Sequence, residues 1–348
     1  MTRTQQTAVA AGVAAVGAAL LSRGFRYSRR IDFDGRTVVI TGGSRGLGLV
    51  LARELGQQGA RLVIAARDDE ELDRARRHLQ SEGVDAITVA CDVGERADAE
   101  RLIAEAIERT GRLDVLVNNA GVISVGPVEH MALADFEEAM AVHFWGPLYT
   151  TLAAMPAMRE AGGGRIVNIS SIGGRIGVPH LVPYCASKFA LCGFSQAMRG
   201  ELAKDGIHVT TVCPGLMRTG SPFNAWFKGQ HRNEFAWFVI SDSLPLTSVD
   251  ARRAAAQIAD ACRHADAELV IGIPARLAIL ASALVPEAFA LAMEAASRLL
   301  PGPIGDSGNR AHSGWQSFSE RVPTSLTKLT DRAAAENNEL DARALAPE

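Results

Sequence analysis

The chain has 348 residues, of which 47% are hydrophobic and 22% are charged, as is typical of a globular protein with one large domain or two. The formal net charge is −3, so no overall basic field favours nucleic acid as a partner. The five cysteines form no CxxC pattern. Their number and spacing argue against a disulfide framework and against a zinc site, and favour a reducing compartment such as the cytoplasm.

The first thirty residues differ in composition from the rest of the chain. Residues 4–22 carry no charge and are rich in alanine, glycine and valine, and arginines follow at Arg23, Arg26, Arg29 and Arg30. A helix of this length spans about 28 Å, close to the ~30 Å of a bilayer core, although alanine and glycine gain little from lipid. The segment is therefore either a weak membrane anchor or a helix lying loosely on a surface. If it inserts, the positive-inside rule keeps the remaining chain on the cytoplasmic face.

From residue 36 onward, short apolar segments alternate with helix-like segments. The apolar segments predict strands at 37–40, 61–66, 86–90, 113–117, 165–169, 207–212 and 268–271. A long helix-like region over 136–159 is interrupted at Gly146 and Pro147. Strands that alternate with helices predict a buried parallel sheet covered by helices on both faces, which is a doubly wound α/β fold.

Two later segments stand outside this alternation. Residues 276–300 carry only four charges and are divided by Pro286, which predicts two helices that meet at a bend. After Pro301 the composition becomes polar. The last twenty-odd residues are typical of an exposed helix or a disordered tail.

A glycine-rich run, Thr-Gly-Gly-Ser-Arg-Gly-Leu-Gly, occupies residues 41–48, directly after the first predicted strand and at the start of the first helix. Glycine permits positive φ and lets another backbone or a ligand approach closely. The N-terminus of the helix presents free N–H groups and the positive end of its dipole to a pyrophosphate. In this position the run predicts a dinucleotide site more strongly than a turn without a ligand.

The end of the second predicted strand bears on the choice of dinucleotide. An acidic residue there would bind a ribose 2′-hydroxyl, whereas an arginine would bind a 2′-phosphate. Ala66 stands where the acid is expected, Arg67 follows it, and Arg45 in the glycine-rich turn could reach the same phosphate. The pattern favours NADP(H), although Asp68 and Asp69 could pair with these arginines.

Tyr184 and Lys188 are four residues apart on a predicted helix, so both side chains lie on one face. A nearby ammonium favours the phenolate and lowers the phenol pKa from its ordinary value of about 10. A tyrosine activated in this way can exchange a proton with a hydroxyl or carbonyl oxygen. The pair alone would also fit a solvated helix face.

Taken together, these motifs resemble those of the short-chain dehydrogenase/reductase family, over roughly residues 33–271. The glycine-rich turn and the Tyr-x-x-x-Lys pair are two of the family's motifs. The others are an acid after the third strand, an Asn-Asn-Ala-Gly run, a serine thirteen residues before the tyrosine, and a Pro-Gly with a threonine beyond it. They fall at Asp92 and Val93, at Asn118, Asn119, Ala120 and Gly121, at Ser171, and at Pro214, Gly215 and Thr219. The resemblance implies a Rossmann-type sheet.

The resemblance also implies a role for each matched residue. Ser171 would hydrogen-bond the substrate oxygen, and Tyr184 would act as general acid in reduction and general base in oxidation. Lys188 would bind the nicotinamide ribose and lower the pKa of Tyr184, and Thr219 would bind the carboxamide. The residues implied to contact NADP(H) are Gly42, Ser44, Arg45, Gly46, Leu47, Gly48, Arg67, Asp92, Val93, Asn118, Ala120, Gly121, Tyr184, Lys188, Pro214, Gly215 and Thr219.

One position departs from the family's pattern. Where many members carry an asparagine that steadies a water beside the lysine, this chain has His143. His143 could replace it as a hydrogen-bonding relay that titrates near neutrality, or it could be a buried neutral histidine. Both interpretations stay open at this point, and His143 is kept as a candidate catalytic residue.

The aromatic residues of 223–238 fall where the family places its substrate lid. Phe223, Trp226 and Phe227 are candidates for contact with a bulky hydrophobic carbonyl or alcohol substrate; the alternative is a lid that packs on the core or dips into a membrane surface. Residues 276–300 could form an added lid, a dimer contact or an interfacial membrane helix. The resemblance also implies a homo-oligomer.

The predicted division of the chain is an apolar and basic segment at 1–30, a catalytic NADP-binding domain at 31–272, a helical extension at 273–302 and a polar tail at 303–348. The predicted activity is the NADP-dependent interconversion of a carbonyl and an alcohol, in the cytoplasm or on the cytoplasmic face of a membrane. A non-catalytic NADP-binding sensor or scaffold is the alternative, and a structural membrane protein is a third interpretation.

Overall fold

The computed structural model describes residue 24 and residues 26–244, 247–318 and 324–339. The apolar segment 4–22 lies outside the described residues, and its insertion into a membrane stays a prediction. In the part of the chain that is described, no helix is both long enough and apolar enough to cross a bilayer.

The secondary structure follows the predicted alternation of strands and helices. The strands are β1 (Thr37–Thr41), β2 (Arg61–Ala66), β3 (Ala86–Ala90), β4 (Val115–Asn118), β5 (Ser124–Val125), β6 (Gly164–Ile169), β7 (Ile207–Pro214), β8 (Leu216–Arg218), β9 (Trp226–Phe227), β10 (Ser248–Asp250), β11 (Glu268–Ile271) and β12 (His312–Ser313). The helices are α1 (Gly46–Gly56), α2 (Asp69–Ser81), α3 (Arg96–Thr110), α4 (Leu133–Met140), α5 (Gly146–Glu160), α6 (Val182–Leu202), α7 (Ser221–Asn224), α8 (His231–Ser243), α9 (Ala251–Arg263), α10 (Ile273–Leu284), α11 (Pro286–Ser297), α12 (Gly314–Ser317) and α13 (Thr324–Glu336).

The central sheet has seven strands in the order β3-β2-β1-β4-β6-β7-β11, and every neighbouring pair is parallel. Side chains alternate between its faces along β1. Val38 and Ile40 join the core formed with α1, α2 and α9, whereas Val39 joins the core formed with α3, α5 and α6. The predicted doubly wound α/β fold is therefore confirmed.

The strand order reverses between β1 and β4, because β2 and β3 extend the sheet on one side and β6, β7 and β11 extend it on the other. Loops that leave the carboxyl ends of β1 and β4 therefore diverge, which opens a crevice between them. The glycine-rich turn follows β1 and the Asn-Asn-Ala-Gly run begins in β4, so both motifs border this crevice.

The interruption expected at Gly146 and Pro147 is a local widening of the helix. A π-helical turn, Ala141–Trp145, joins α4 to α5 without a loop. Pro147 follows this turn within the continuous helix, and its missing N–H leaves a carbonyl of the preceding turn without that donor. The π-helical turn carries His143, which it directs into the crevice wall.

The apolar segment after the sheet forms two helices, α10 and α11, that meet at Pro286, as predicted. Both helices leave large apolar side chains exposed, including Leu277, Leu284 and Leu291. They continue into a segment that returns to the body of the protein, where the Ile304 N–H donates to His130 Nε2 at 2.9 Å.

Residues 324–336 form a helix, as one of the two expectations for the tail had it, but the expected exposure is wrong because one face of this helix is buried. Helix α13 packs on α8, where Thr330 and Ser243 share a hydrogen bond between their hydroxyl groups at 2.6 Å. Thr327, Thr330 and Ala334 are buried, with 3%, 0% and 0% of their surface exposed. Small side chains three and four residues apart allow close packing of two helices, a pattern that the polar composition of the segment conceals.

We predict that Phe227→Ala lowers the free energy of unfolding by about 3–5 kcal/mol, because it removes a fully buried ring and leaves a cavity. Trp226→Ala is the matched control, since 43% of that side chain is exposed, and we expect it to cost about 1 kcal/mol or less. Urea unfolding of the two variants measures the difference. Equal losses would contradict the packing described for this aromatic segment.

Candidate active site

A continuous cavity of about 900 Å³ occupies the crevice at the carboxyl ends of the strands. Its walls come from the glycine-rich turn, the end of β2, the loop after β4, the start of α6, the segment after β7 and the helix α8. The two groups of motifs found in the sequence, one for a dinucleotide and one for proton transfer, therefore face the same space.

Most residues implied to contact NADP(H) border this cavity: Gly42, Ser44, Arg45, Leu47, Arg67, Asp92, Val93, Ala120, Gly121, Tyr184, Lys188, Pro214, Gly215 and Thr219. Gly46, Gly48 and Asn118 do not. Position 48 requires glycine, because a Cβ there would lie 2.0 Å from the Gly42 carbonyl oxygen. Asn118 is buried and donates Nδ2 to Asn168 Oδ1 at 2.9 Å, so it connects β4 to β6 rather than facing a ligand.

Asn119 holds the glycine-rich turn against the loop after β4. Its Nδ2 donates to the carbonyl oxygens of Thr41 at 3.1 Å and Gly42 at 3.0 Å, and its backbone N–H donates to Thr41 Oγ1 at 3.0 Å. Gly42 has φ +64, and a Cβ there would lie 2.8 Å from Ala120 Cα. The turn therefore tolerates only glycine at this position.

The two arginines expected to bind a 2′-phosphate lie at one end of the cavity. Arg67 is exposed at the end of β2. Arg45 forms an ion pair with Glu71 at 3.2 Å. The carboxylate of Asp68 instead accepts from the Glu71 N–H at 2.9 Å and caps α2. The acid that pairs with Arg45 is therefore Glu71, one helical turn beyond the two aspartates considered from the sequence.

Ser171, Tyr184 and Lys188 meet at the other end of the cavity. The Tyr184 phenol faces the Ser171 side chain, whose Oγ accepts from the Gly173 N–H at 3.0 Å. Lys188 is buried, and its Nζ donates to the Ile169 carbonyl oxygen at 2.9 Å. The same Nζ lies 5.7 Å from the centre of the Tyr184 ring. A proton donor, a second hydroxyl and a cation thus share one wall.

Burial controls the protonation of this group. It raises the pKa of the Tyr184 phenol above its ordinary value, and the Ser171 side chain opposes this shift only in part. The lowering of this pKa by Lys188 stays a prediction. Burial also lowers the pKa of Lys188 to about 8.

His143 is fully buried in the crevice wall, with both ring nitrogens in hydrogen bonds. Its Nε2 accepts from the Val122 N–H at 3.1 Å, so the ring proton lies on Nδ1, which donates to Ser187 Oγ at 2.8 Å. Burial lowers the pKa of His143 well below its ordinary value, and the positive charge of Lys188 adds to this shift. These contacts favour a neutral, structural histidine over one that titrates near neutrality.

The aromatic residues chosen as substrate contacts do not border the cavity. Phe223 stacks on Trp315 with ring centres 4.7 Å apart, and Phe227 is fully buried. Trp226 lies in the small sheet β12-β9-β5 with its side chain half exposed. Phe223 belongs to α7, and Trp226 and Phe227 belong to β9. The aromatic side chains that border the cavity from this region are those of Trp237 and Phe238, on α8.

Asp242 also borders the cavity and was not singled out in the sequence. Burial raises its pKa to about 8, and the negative charge of Glu339 adds to this shift. A signal was available, because Phe238 and Asp242 are four residues apart on one helix and so share a face. Glu339 carried no such signal, since nothing in the sequence relates it to the crevice.

We predict that Asp242 contributes to the free energy of unfolding a stabilisation that is lost as pH rises from about 4 to about 8. Asp242 has a raised pKa in the folded state, so the folded protein binds more protons than the unfolded chain in this range. Asp242→Asn removes one such group and reduces the slope, whereas the same change at the exposed Asp85 leaves it unaltered. Urea unfolding at a series of pH values measures the slope, and parallel curves for wild type and Asp242→Asn would contradict the prediction.

Comparison with known sequences agrees with these motifs. A sequence model of the family described as short chain dehydrogenase matches residues 36–225. A Streptomyces coelicolor protein assigned as a ketoacyl reductase is 40% identical over 188 residues, which cover 53% of this chain and 72% of that protein. Dehydrogenase/reductase SDR family member 4 of Bos taurus is 34% identical over 200 residues, covering 57% of this chain and 72% of that protein.

Solved structures resemble the fold over most of their length. A variant of actinorhodin polyketide ketoreductase crystallised with NADPH is 33% identical with a TM-score of 0.62, over 68% of this chain and 95% of that chain. L-sorbose reductase from Gluconobacter frateurii, in complex with NADPH and L-sorbose, is 25% identical with a TM-score of 0.62, over 70% of this chain and 97% of that chain. Sequence motifs, fold and relatives thus agree, and the chain belongs to the short-chain dehydrogenase/reductase family of oxidoreductases.

Proposed function

We propose that the protein is an NADP-dependent enzyme that interconverts a carbonyl and an alcohol on a bulky hydrophobic substrate. The observation that carries the proposal is that Ser171, Tyr184 and Lys188 border the same cavity as the glycine-rich turn, with Lys188 Nζ 5.7 Å from the centre of the Tyr184 ring. A dinucleotide bound along the turn reaches this pair without leaving the crevice.

The residues at the other end of the cavity fit NADP(H). The turn at Gly42 admits no side chain, and the N-terminus of α1 lies beside it, as a pyrophosphate requires. Ala66 leaves no acid at the end of β2, and Arg67 and Arg45 border the cavity there. Two structural relatives contain NADPH, which supports the same choice. When bound, NADPH supplies the hydride for reduction of the carbonyl carbon.

Tyr184 is the residue that exchanges the proton. Its raised pKa keeps the phenol neutral at physiological pH, which suits donation to a carbonyl oxygen during reduction. Ser171 holds the same oxygen through a second hydrogen bond. Lys188, with a pKa of about 8, carries its charge near neutrality and offers donors to a ribose hydroxyl.

In this proposal His143 orients Tyr184 through its contacts and does not gain or lose a proton. Its Nδ1–H donates to Ser187 Oγ, and that hydroxyl donates to the Tyr184 carbonyl oxygen at 2.9 Å. The His143 ring also contacts the Tyr184 ring edge-to-face, with centres 5.4 Å apart. Two contacts thereby fix the tyrosine without a change in the protonation of His143.

A largely apolar wall supports a bulky hydrophobic substrate. Val178, Leu181, Trp237 and Phe238 border the cavity near Tyr184. Apolar walls with a few polar groups are typical of sites for small hydrophobic ligands. Contact of the exposed helices α10 and α11 with a membrane surface, and assembly into a homo-oligomer, stay predictions.

We predict that Tyr184→Phe lowers kcat for ketone reduction by about 10²–10⁴-fold, because the variant retains the ring but loses the proton donor. The dissociation constant for NADPH should change little. NADPH oxidation with a panel of hydrophobic ketones and NADPH fluorescence measure the two quantities. NADPH binding without turnover of any carbonyl by the wild type would contradict the proposal and favour a non-catalytic NADP-binding sensor.

We predict that Arg67→Asp weakens NADPH binding by about 10- to 100-fold, because it removes a charge-assisted contact with the 2′-phosphate and adds a like charge. Binding of NADH should be retained. Arg61→Asp, at the exposed start of the same strand, is the matched control with the same change in charge. An unaltered ratio of NADPH to NADH affinity in Arg67→Asp would contradict the assigned phosphate contact.

A further inference from the structure

Residues 337–339, which follow α13, lie on the glycine-rich turn. The Gly46 N–H, at the start of α1, donates to the Asn337 carbonyl oxygen at 2.9 Å. Asn338 Nδ2 donates to the Ser44 carbonyl oxygen at 2.9 Å, and Arg74 Nε donates to Asn338 Oδ1 at 3.3 Å. These contacts fasten the segment 337–339 to the turn that would hold the dinucleotide.

The next residue, Glu339, reaches across the crevice. Its carboxylate accepts a hydrogen bond from the Gly220 N–H, on the wall that follows β8. On the opposite wall, a Cβ built at Gly46 would lie 3.0 Å from Glu339 Oε1. Glu339 is 5% exposed and borders the cavity that also contains Thr219 and Tyr184. One carboxylate therefore connects the two walls between which a dinucleotide would have to lie.

The groups around Glu339 are of the kind that would bind a diphosphate. The N-terminus of α1 and the positive charge of Arg45 both favour an anion at this place. Burial nevertheless raises the pKa of Glu339 to about 8, and Asp242 and Glu71 border the same cavity. The Glu339 carboxyl competes with a diphosphate for this confined space whether or not it is ionised, and it adds charge repulsion as pH rises through its pKa.

We propose that residues 337–339 are an internal competitor of the dinucleotide, in which the Glu339 carboxylate occupies the diphosphate position at the start of α1. The inference rests on the proposed cofactor, and adds that this chain regulates access to its own site. The dinucleotide binds after the segment leaves the turn, so residues 324–339 respond to cofactor concentration.

The competitor differs from a strap that closes over a bound dinucleotide. A strap would gain contacts with the ligand and tighten its binding, whereas a competitor must be displaced. The α1 N-terminus already donates to the Asn337 carbonyl oxygen, and a diphosphate would need the same donor, which favours displacement. By thermodynamic linkage, the factor by which the docked segment weakens dinucleotide binding equals the factor by which bound dinucleotide weakens docking of the segment.

The experiment compares NADPH affinity, by NADPH fluorescence, in the full-length wild type and three variants. Glu339→Gln, compared with the wild type above pH ~8, where the Glu339 carboxyl is ionised, removes the competing charge, and Asn338→Ala removes the side-chain contacts of the segment with Ser44 and Arg74. Glu336→Gln is the matched control, because it makes the same change in charge in a side chain that pairs with Arg252 and Arg332 at the surface. We expect Glu339→Gln and Asn338→Ala to tighten NADPH binding by roughly 5- to 150-fold and Glu336→Gln to leave it unchanged.

Hydrogen exchange of the peptide covering 324–339 gives a second readout that does not depend on turnover. NADPH should accelerate exchange there in the wild type, because binding releases the segment. Slower exchange with NADPH, together with weaker binding by Glu339→Gln, would overturn the proposal in favour of a strap. Equal affinities in all variants would overturn it while leaving the proposed function intact, whereas absence of NADPH binding in every variant would overturn both.

Discussion

The reversal of strand order between β1 and β4 is the constraint on which the rest of the site depends. It separates two loops at the carboxyl edge of the sheet, and Asn119 then ties them together through the carbonyl oxygens of Thr41 and Gly42. The width of the crevice is thus set by backbone contacts, which explains why a side chain at Gly42 or Gly48 would collide with main-chain atoms. A parallel sheet whose strand order did not reverse would have no such crevice between two neighbouring loops.

Within this crevice, the free-energy cost of removing a charged group from water sets the protonation state of several residues. Desolvation is the largest cause of the shift in pKa for Tyr184, Lys188, His143 and Asp242. In each case it favours the neutral form. A neutral phenol beside Ser171 is prepared to give a proton, and a neutral imidazole at position 143 can keep two fixed hydrogen bonds. The same effect makes the buried carboxyl of Glu339 easier to displace, since ionisation in place is costly.

Much of this arrangement could be predicted from the sequence because it depends on local patterns. Apolar runs with helices between them located all seven strands of the central sheet, and fixed spacings located Ser171, Tyr184 and Lys188. Features that depend on distant contacts could not be predicted. Phe223 stacks on Trp315, which lies far along the chain, and Phe227 pairs through β9 with β5 and β12, while the raised pKa of Tyr184 comes from burial by distant residues. The docking of Glu339 against Gly220 joins residues more than a hundred positions apart.

The central claim is that burial keeps Tyr184 a neutral phenol, so that it acts as the proton donor. The chain has three tyrosines, so carbon NMR of protein labelled at tyrosine Cζ gives few signals, and Tyr184→Phe identifies the one of interest. We predict that this signal keeps the chemical shift of a neutral phenol to at least pH ~10, the ordinary pKa of tyrosine. A signal that moves to the phenolate position near neutral pH would contradict the account.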